Sequence, residues 1–379
     1  MEVKNWLEKL FQKMEVKFDA ECRRIGDRIP YWTEEGRYQT DYGKKDINWW
    51  TNGFWPGILW QMYHATRKEI YREAAEGVER KMDKALWSFT GLHHDVGFMW
   101  LHSAVADYRL TGSEESRNRG LLAASILAGR YNPAGRFIRA WNPDCVEKGQ
   151  DCTGWIIVDS MMNIPLLYWA SKEMKDPRYF YIAQNHADTV RQTLVREDGS
   201  CGHIACLDPN TGELETLLAG QGYSETSCWS RGLSWILYGF ALSYRYTGNS
   251  IYLDTAKKTA HYFISNIVLT DYIPLCDFRQ PETPGYIDAS AGLCAACGLL
   301  EIAEFADGRE KWIYRKHAEQ IVKAIAEKCC IWDPERDSIV QNCKVDYHSS
   351  KDRQTDLIYA DYFLAEAVLR LMRKDFLIW

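Results

Sequence analysis

The sequence Tyr244-Arg245-Tyr246-Thr247-Gly248 ends one helical pattern, and Tyr252, Ala256 and Ala260 recur on one face of the next. A second turn of the same kind is Tyr108-Arg109-Leu110-Thr111-Gly112. Looser versions of this turn begin at three more positions: Ala65, Met174 and Phe305. Because each turn separates two helical patterns, these turns predict five helical hairpins.

Apolar residues at helical spacing predict twelve helices along the chain. They cover residues 4–24, 53–66, 69–88, 97–110, 114–130, 155–173, 177–195, 227–246, 250–267, 287–305, 309–328 and 355–372. Ten of them pair as the five hairpins, and the first and last remain single. If the last helix packs beside the first, a sixth pair closes a ring. The sequence therefore predicts an all-α fold, a double-layered (α/α)6 barrel of six helical hairpins, formed by residues 1–379 as one domain.

The longer links between the hairpins contain much of the Gly, Pro, Asn and Asp. They span residues 25–52, 89–96, 131–154, 196–226, 268–286 and 329–354. A hairpin array places such links together at one end of the barrel, and loops on a rigid scaffold usually carry the function. Turn signals at Asp198-Gly199-Ser200 and at Asp208-Pro209-Asn210-Thr211-Gly212 predict a β-hairpin in the fourth link.

Composition limits the possible partners and the compartment. The net charge of −6 comes without a block of Lys or Arg, so we expect neither nucleic acid nor an anionic membrane as a partner. An anionic ligand would have to be held by one or two well-placed cations. The segment 1–10 interleaves charged and apolar residues, which predicts an amphipathic helix rather than a signal peptide and hence a cytoplasmic protein. Nothing in the sequence indicates an oligomeric state.

The twelve cysteines are scattered along the chain. Several lie in apolar helical stretches, such as Cys294 and Cys297, where a free thiol behaves as a small hydrophobic group. No second pair of ligands stands at the spacing that a zinc site requires. We therefore predict reduced cysteines, no metal and no cofactor.

Two aspartates stand within apolar, aromatic runs: Asp95 in His93-His94-Asp95-Val96-Gly97-Phe98-Met99-Trp100, and Asp159 in Trp155-Ile156-Ile157-Val158-Asp159-Ser160-Met161-Met162. A poorly solvated carboxyl has a raised pKa and can exchange protons at neutral pH. Asp95 precedes a helical pattern, so it could instead cap that helix. Asp159 falls inside the predicted helix 155–173, which Pro165 should kink close by.

Polar and aromatic residues are also concentrated in the segment 221–235, which reads Gln221-Gly222-Tyr223-Ser224-Glu225-Thr226-Ser227-Cys228-Trp229-Ser230-Arg231-Gly232-Leu233-Ser234-Trp235. Arg231 and Trp235 are four residues apart, which places a guanidinium beside an indole on one helix face. The alternative is a salt-bridged Arg that packs on a Trp. His203 is equally well explained as a satisfied polar residue and as a site residue.

Tryptophans occur at or near the links, where they suit the apolar faces of a sugar ring as well as the space between helices. They are Trp49, Trp50, Trp55, Trp141, Trp155, Trp229 and Trp235.

Three of these segments and one near the C-terminus together resemble the unsaturated glucuronyl hydrolases, glycoside hydrolase family 88. They are the His-Asp motif at 93–98, the Asp159 segment, the stretch 221–235 and Tyr359-Ala360-Asp361-Tyr362. The resemblance implies a single (α/α)6-barrel catalytic domain, in agreement with the helix count. It also implies that the substrate is a lyase-generated glycosaminoglycan disaccharide or oligosaccharide, from whose non-reducing end the enzyme releases a 4,5-unsaturated uronic acid.

The resemblance implies roles for individual residues. Asp159 would be the general acid/base and Asp95 its partner carboxylate. The proposed binding residues for the uronate are Trp50, His203, Gln221, Trp229, Arg231 and Trp235, with Trp50 stacking on the sugar. We expect the second sugar to meet the link 329–354, where Ser350 and Lys351 offer a hydroxyl and a cation suited to a sulfate.

One position departs from the family pattern: Leu233 stands where a polar residue is expected after Arg-Gly. The related unsaturated rhamnogalacturonyl hydrolases, family 105, share the barrel and the aspartate pair. Ser234 and the Gln221-Gly222-Tyr223-Ser224 segment favour family 88. Two further alternatives are a sugar epimerase on the same barrel, which would need paired histidines, and an inactive carbohydrate-binding barrel, which would have little use for the acids.

Overall fold

The computed structural model describes residues 2–349 and 355–379. In this part of the chain twelve long helices alternate between two layers. The six outer helices are α1 Glu2–Ile25, α3 Glu69–Trp87, α5 Glu114–Ala128, α7 Pro177–Leu194, α9 Ser250–Ile267 and α11 Gly308–Lys328. The six inner helices are α2 Phe54–Thr66, α4 (consecutive segments Val96–Trp100, Leu101–Val105 and Ala106–Thr111), α6 Pro165–Met174, α8 Ser230–Thr247, α10 Ala289–Phe305 and α12 Ile358–Met372.

The helix patterns explain the two layers. The inner helices are apolar nearly all round, and α8 is buried from Ser230 through Ser243. The outer helices have one apolar stripe and one charged face, as helices do when they cover a core from one side. Each inner helix packs against the next, and α12 packs against both α1 and α2. The ring therefore closes, which confirms the predicted all-α (α/α)6 barrel.

Short strands occur in the links. A small hairpin pairs β1 Tyr131–Asn132 with β2 Phe137–Ile138, and a three-stranded antiparallel sheet joins β3 Trp155–Ile157, β4 Ile204–Leu207 and β5 Leu214–Leu218 in that order. The β4–β5 pair is the hairpin that the turn signals predict. In β3, Ile157 pairs with Ile204 of β4.

The prediction of a helix over residues 155–173 is wrong in its first half. The bulky apolar residues at its start form β3, because they pair with β4 and lie against the core. A 3-10 turn, Val158–Met162, follows the strand, and Pro165 begins α6. Proline is well suited to the first turn of a helix, where its missing N–H leaves no bond unmade. Pro165 therefore starts a helix here and does not kink one.

Two further findings concern the chain as a whole. All twelve cysteines lie in the described residues, and each is a free thiol. None of the helices in residues 2–349 and 355–379 combines the length and the apolar character that crossing a membrane requires.

Candidate active site

A cavity of about 640 Å3 opens at the end of the barrel where all six inner helices begin. The long links meet at this end, as the hairpin pattern predicts. Most of the predicted site residues line the cavity: Trp50, Asp95, Asp159, Gln221, Trp229, Arg231 and Trp235. The lining adds residues that had no predicted role, among them Trp32, Tyr42, Lys45, Asp46 and Asp346.

Helix geometry gives this end of the barrel a partial positive charge. The N-terminus of a helix carries roughly half an elementary charge, because its first N–H groups have no partner within the helix. The N-termini of α4 and α8 adjoin the cavity, at Asp95 and at Arg231, and favour an anionic ligand there. This arrangement offsets the net charge of −6 locally. A sequence-based search for cations alone does not detect it.

Asp95 lies directly before α4, but its side chain makes no capping hydrogen bond. Its Oδ1 accepts a hydrogen bond of 3.0 Å from Nδ2 of Asn163. Burial, together with the negative charge of Asp159, raises the pKa of the Asp95 carboxyl well above its usual range. The structure thus argues against the capping alternative for Asp95.

Asp159 is in the 3-10 turn that follows β3, and its side chain reaches the cavity. Its Oδ1 is buried and has no hydrogen-bond partner among the described residues. Burial raises the pKa of Asp159 to about 7, although the Arg231 guanidinium opposes the rise. Asp159 can therefore hold a proton near neutral pH without giving it to a protein acceptor. A group in this state can donate that proton to a bound substrate.

Asn163 connects the two aspartates and had no predicted role. The residue is fully buried, and its Nδ2 donates to Asp95 Oδ1 and to the backbone carbonyl of Asp159, both at 3.0 Å. Its Oδ1 accepts from the backbone N–H of Phe98 at 2.7 Å. A Cβ at Gly97 would lie 2.5 Å from the Asn163 Cα, so only glycine allows α4 to approach this closely. The one available signal was the four-residue spacing from Asp159.

Arg231 is buried in the first turn of α8, and most of its donors are used within the protein. It forms an ion pair with Asp288, and Nη1 and Nη2 donate to the carbonyls of Lys344 and Val345, both at 2.7 Å. The guanidinium lies over the ring of Trp229, 4.5 Å from its centroid. Trp229 stands directly in front of α8, which begins at Ser230, and had not been paired with Arg231 in the prediction. Arg231 and Trp235 are four residues apart within α8, and both line the cavity.

Asp288, which was not among the predicted site residues, has two roles in the fold. It caps α10 by accepting from the backbone N–H of Ser290, and it neutralises Arg231. The structure thus agrees with the alternative of a salt-bridged Arg packed on a Trp, while Arg231 still lines the cavity.

The two remaining tryptophans of the prediction lie at different depths. Trp235 is 1% exposed and packs against Phe98 and Phe363 at the bottom of the cavity. Trp50 is half-buried, and its ring centroid lies 5.1 Å from that of Tyr359. Of the two, Trp50 is the ring available for stacking on a ligand.

His203 does not line the cavity itself, but it contacts two residues that do, Gln221 and Trp229. Its Nδ1 accepts a hydrogen bond of 2.9 Å from the backbone N–H of Gln221, and its ring packs on Trp229. Burial lowers the pKa of His203 to about 3, so the ring is neutral. Gln221 does line the cavity, but its Nε2 donates to the carbonyl of Val345 at 2.7 Å. Ser350 and Lys351 lie outside the described residues.

The structure brings together one group of possible metal ligands among the described residues: His93, His94 and Asp95. Sequence spacing did not reveal it, because the three residues are consecutive and resemble no known zinc spacing.

The family model of Glycosyl Hydrolase Family 88 matches residues 22–282 of the chain. The chain belongs to this family. It is 36% identical over 357 residues to the unsaturated glucuronyl hydrolase of Bacillus sp. (strain GL1), with 93% of each chain covered. It is 30% identical over 372 residues to the unsaturated chondroitin disaccharide hydrolase of Streptococcus pneumoniae (strain ATCC BAA-255 / R6), covering 95% of this chain and 92% of that one.

The fold comparison agrees. The solved structure of the unsaturated glucuronyl hydrolase from Bacillus sp. GL1 superposes with a TM-score of 0.91 and 34% identity, covering 97% of each chain. The predicted resemblance to family 88 is therefore confirmed, and the chain is a glycoside hydrolase. The relatives favour family 88 over the family 105 alternative and over an epimerase.

Proposed function

We propose that this enzyme releases 4,5-unsaturated uronic acid from the non-reducing end of lyase-generated glycosaminoglycan oligosaccharides. The observation that carries the proposal is the aspartate pair: Asp159 Oδ1 has no hydrogen-bond partner among the described residues, and Asn163 bonds both the Asp159 backbone and the Asp95 carboxylate. The curated relatives include hydrolases named for unsaturated glucuronyl and unsaturated chondroitin substrates.

The proposed chemistry is hydration of the vinyl ether in the unsaturated ring. Asp159 donates its proton to C4, and the electron pair of the C4=C5 bond forms the new C–H bond. Water then adds at C5 and returns a proton to Asp159, which regenerates the acid. The hemiketal at C5 opens to a ketone, and the hemiacetal left at C1 breaks down to release the rest of the sugar.

Asp95 and the cavity wall would support this sequence of steps. Positive charge develops at C5 and the ring oxygen when C4 is protonated, and a carboxylate held nearby stabilises that charge. Asp95 is held by Asn163 and so is already oriented before substrate binds. Trp50 would stack on the sugar, and Arg231 with the helix N-termini would favour the uronate carboxylate.

The first test follows the ultraviolet absorbance of the C4=C5 bond in an unsaturated chondroitin disaccharide. We expect absorbance to be lost in step with release of the second sugar, and Asp159→Asn to show neither. An epimerase or a binding protein would leave the double bond intact, so persistent absorbance with the wild-type enzyme would contradict the proposal.

The preference among oligosaccharides would be set at the cavity mouth. We propose that Ser350 and Lys351 meet the second sugar, with Lys45 as another cation at the mouth. Lys351→Ala and Lys45→Ala would be assayed side by side on sulfated and unsulfated disaccharides. Selective loss with the sulfated substrate identifies the sulfate contact, and an equal effect on both substrates removes the residue from that role.

We also propose that the whole chain acts as one catalytic domain. The ring of inner helices includes α2 near its start and α12 near its end, so neither half would enclose the cavity alone. Expression of either half separately should therefore give no activity in the same absorbance assay.

A further inference from the structure

His93, His94 and Asp95 converge at the wall of the cavity. Their ligand atoms all lie within 4.8 Å of one another. His93 Nδ1 is 3.4 Å from Asp95 Oδ2, and His94 Nε2 is 3.1 Å from Asp95 Oδ1. Two ligands of a tetrahedral zinc ion, each about 2.1 Å from the metal, are separated by about 3.4 Å. Each imidazole therefore lies at a suitable distance from one carboxylate oxygen, and the widest separation in the group, up to 4.8 Å, would shorten when one small cation binds all three residues.

The hydrogen bonds of His94 leave a lone pair directed at the carboxylate. Its Nδ1 lies 2.8 Å from the carbonyl of Ala140, so that nitrogen carries the proton. Its Nε2 is then an acceptor that faces Asp95 Oδ1, which is also an acceptor. Within the described residues neither His94 Nε2 nor His93 Nδ1 has a hydrogen-bond partner, although His94 is 1% exposed. A cation between these atoms would bind the His94 lone pair and the Asp95 carboxylate, and His93 would join them through Nδ1 when its ring is protonated at Nε2.

The surroundings of His94 also match those of a metal ligand. Metal-bound imidazoles commonly donate their second ring N–H to a backbone carbonyl, which fixes the tautomer and the ring orientation. The contact between His94 and Ala140 is of this kind and is buried. Two neutral imidazoles and one carboxylate suit Zn2+ and Ni2+, whereas Mg2+ and Ca2+ prefer oxygen ligands.

We propose that His93, His94 and Asp95 form a binding site for a divalent transition metal ion, and that the bound ion inhibits the enzyme. Three protein ligands leave a fourth position open toward the cavity. The ion occupies the carboxylate that the hydration reaction requires and blocks the approach of the unsaturated ring. Inhibition rests on the proposed function, but metal binding does not.

The test is calorimetric titration of EDTA-treated, dialysed enzyme with Ni2+ in the absence of substrate. A Cys145→Ser background removes the exposed thiol as a competing ligand. We expect one ion per chain, and more than about tenfold weaker binding in His93→Gln and in His94→Gln. His317→Gln, in outer helix α11, is the matched control and should bind as the parent does. Mg2+ should give no saturable heat.

In the absorbance assay, turnover of the parent should fall in step with Ni2+ occupancy and return on addition of EDTA. Circular dichroism checks the fold of each variant. Of the two histidine substitutions, His93→Gln should disturb the packing less, because the His93 side chain is 15% exposed. Absence of saturable binding, or unchanged affinity in folded His93→Gln, would overturn the site. Ni2+ binding with no hydrolysis of any unsaturated substrate would instead refute the proposed function and leave the metal site standing.

Discussion

Asn163 donates a hydrogen bond of 3.0 Å to the Asp95 carboxylate, and the same amide nitrogen reaches the backbone carbonyl of Asp159 at 3.0 Å. One buried side chain thus fixes the distance between the two proposed catalytic groups. The third contact of the amide, from the backbone N–H of Phe98, ties this pair to α4. The relative position of the two acids therefore depends on Asn163 and not only on the backbone of each segment.

We expect Asn163→Ala to reduce kcat by about a hundredfold, because misplacement of a catalytic group by about an ångström has an effect of that size. KM should change much less, since Asn163 does not line the cavity. The measurement is steady-state kinetics with thermal unfolding of the same samples. Asn266→Ala, which removes an amide bonded to a carbonyl on outer helix α9, controls for general loss of a hydrogen bond. Wild-type kcat in folded Asn163→Ala would rule out the positioning role.

The aspartates themselves should show the largest effects. Asp159→Asn should lower the rate by at least about a hundredfold, as expected for the loss of a general acid, with substrate binding retained. Asp95→Asn should have a comparable effect. This effect would not come from a change in the pKa of Asp159, because burial and not the charge of Asp95 raises that pKa. The charge of Asp159 does raise the pKa of Asp95. Asp95→Asn therefore removes the stabilising charge beside C5. Near-normal turnover in either variant would show that the pair is assigned wrongly.

The fold could be predicted because helix periodicity and turn residues are local properties. Each of the twelve helices exists, and the ring closure follows from their number. The prediction failed where a tertiary partner decided the structure. Trp155–Ile157 is a strand because β4 lies beside it, and β4 is nearly fifty residues further along the chain. An apolar run of that length is compatible with a buried helix or a buried strand.

The site could be predicted in its residues but not in its bonds. Most of the predicted residues do line one cavity. The sequence did not predict the ion-pair or hydrogen-bond partner of each residue. Arg231 pairs with Asp288 from another hairpin, and His94 bonds the carbonyl of Ala140 from a separate link. Asn163 was missed for the same reason, since its importance comes from a contact with Asp95, 68 residues earlier in the chain.

The rate should depend on pH through Asp159. The reaction needs this carboxyl in its protonated form, and its pKa is about 7. The protonated fraction falls as pH rises through that value, so kcat should decrease on the alkaline side of about pH 7. The measurement is kcat at saturating disaccharide across this range. A kcat that rises with pH through neutrality would show that Asp159 acts in its ionised form instead.

Arg231 should matter through both charge and geometry. Its fork contacts Asp288 and two backbone carbonyls, and Lys cannot make all of these bonds, so Arg231→Lys should raise KM and Arg231→Ala should raise it further. Arg231→Ala also leaves the buried Asp288 carboxylate unpaired, which should lower the free energy of unfolding by about 3–5 kcal/mol. The double variant Arg231→Ala/Asp288→Ala should recover part of that stability, because the unpaired charge is gone, but not the KM. Denaturant titration and steady-state kinetics on the four proteins separate the two effects. If the double variant also regained wild-type KM, Arg231 would have no part in binding the substrate.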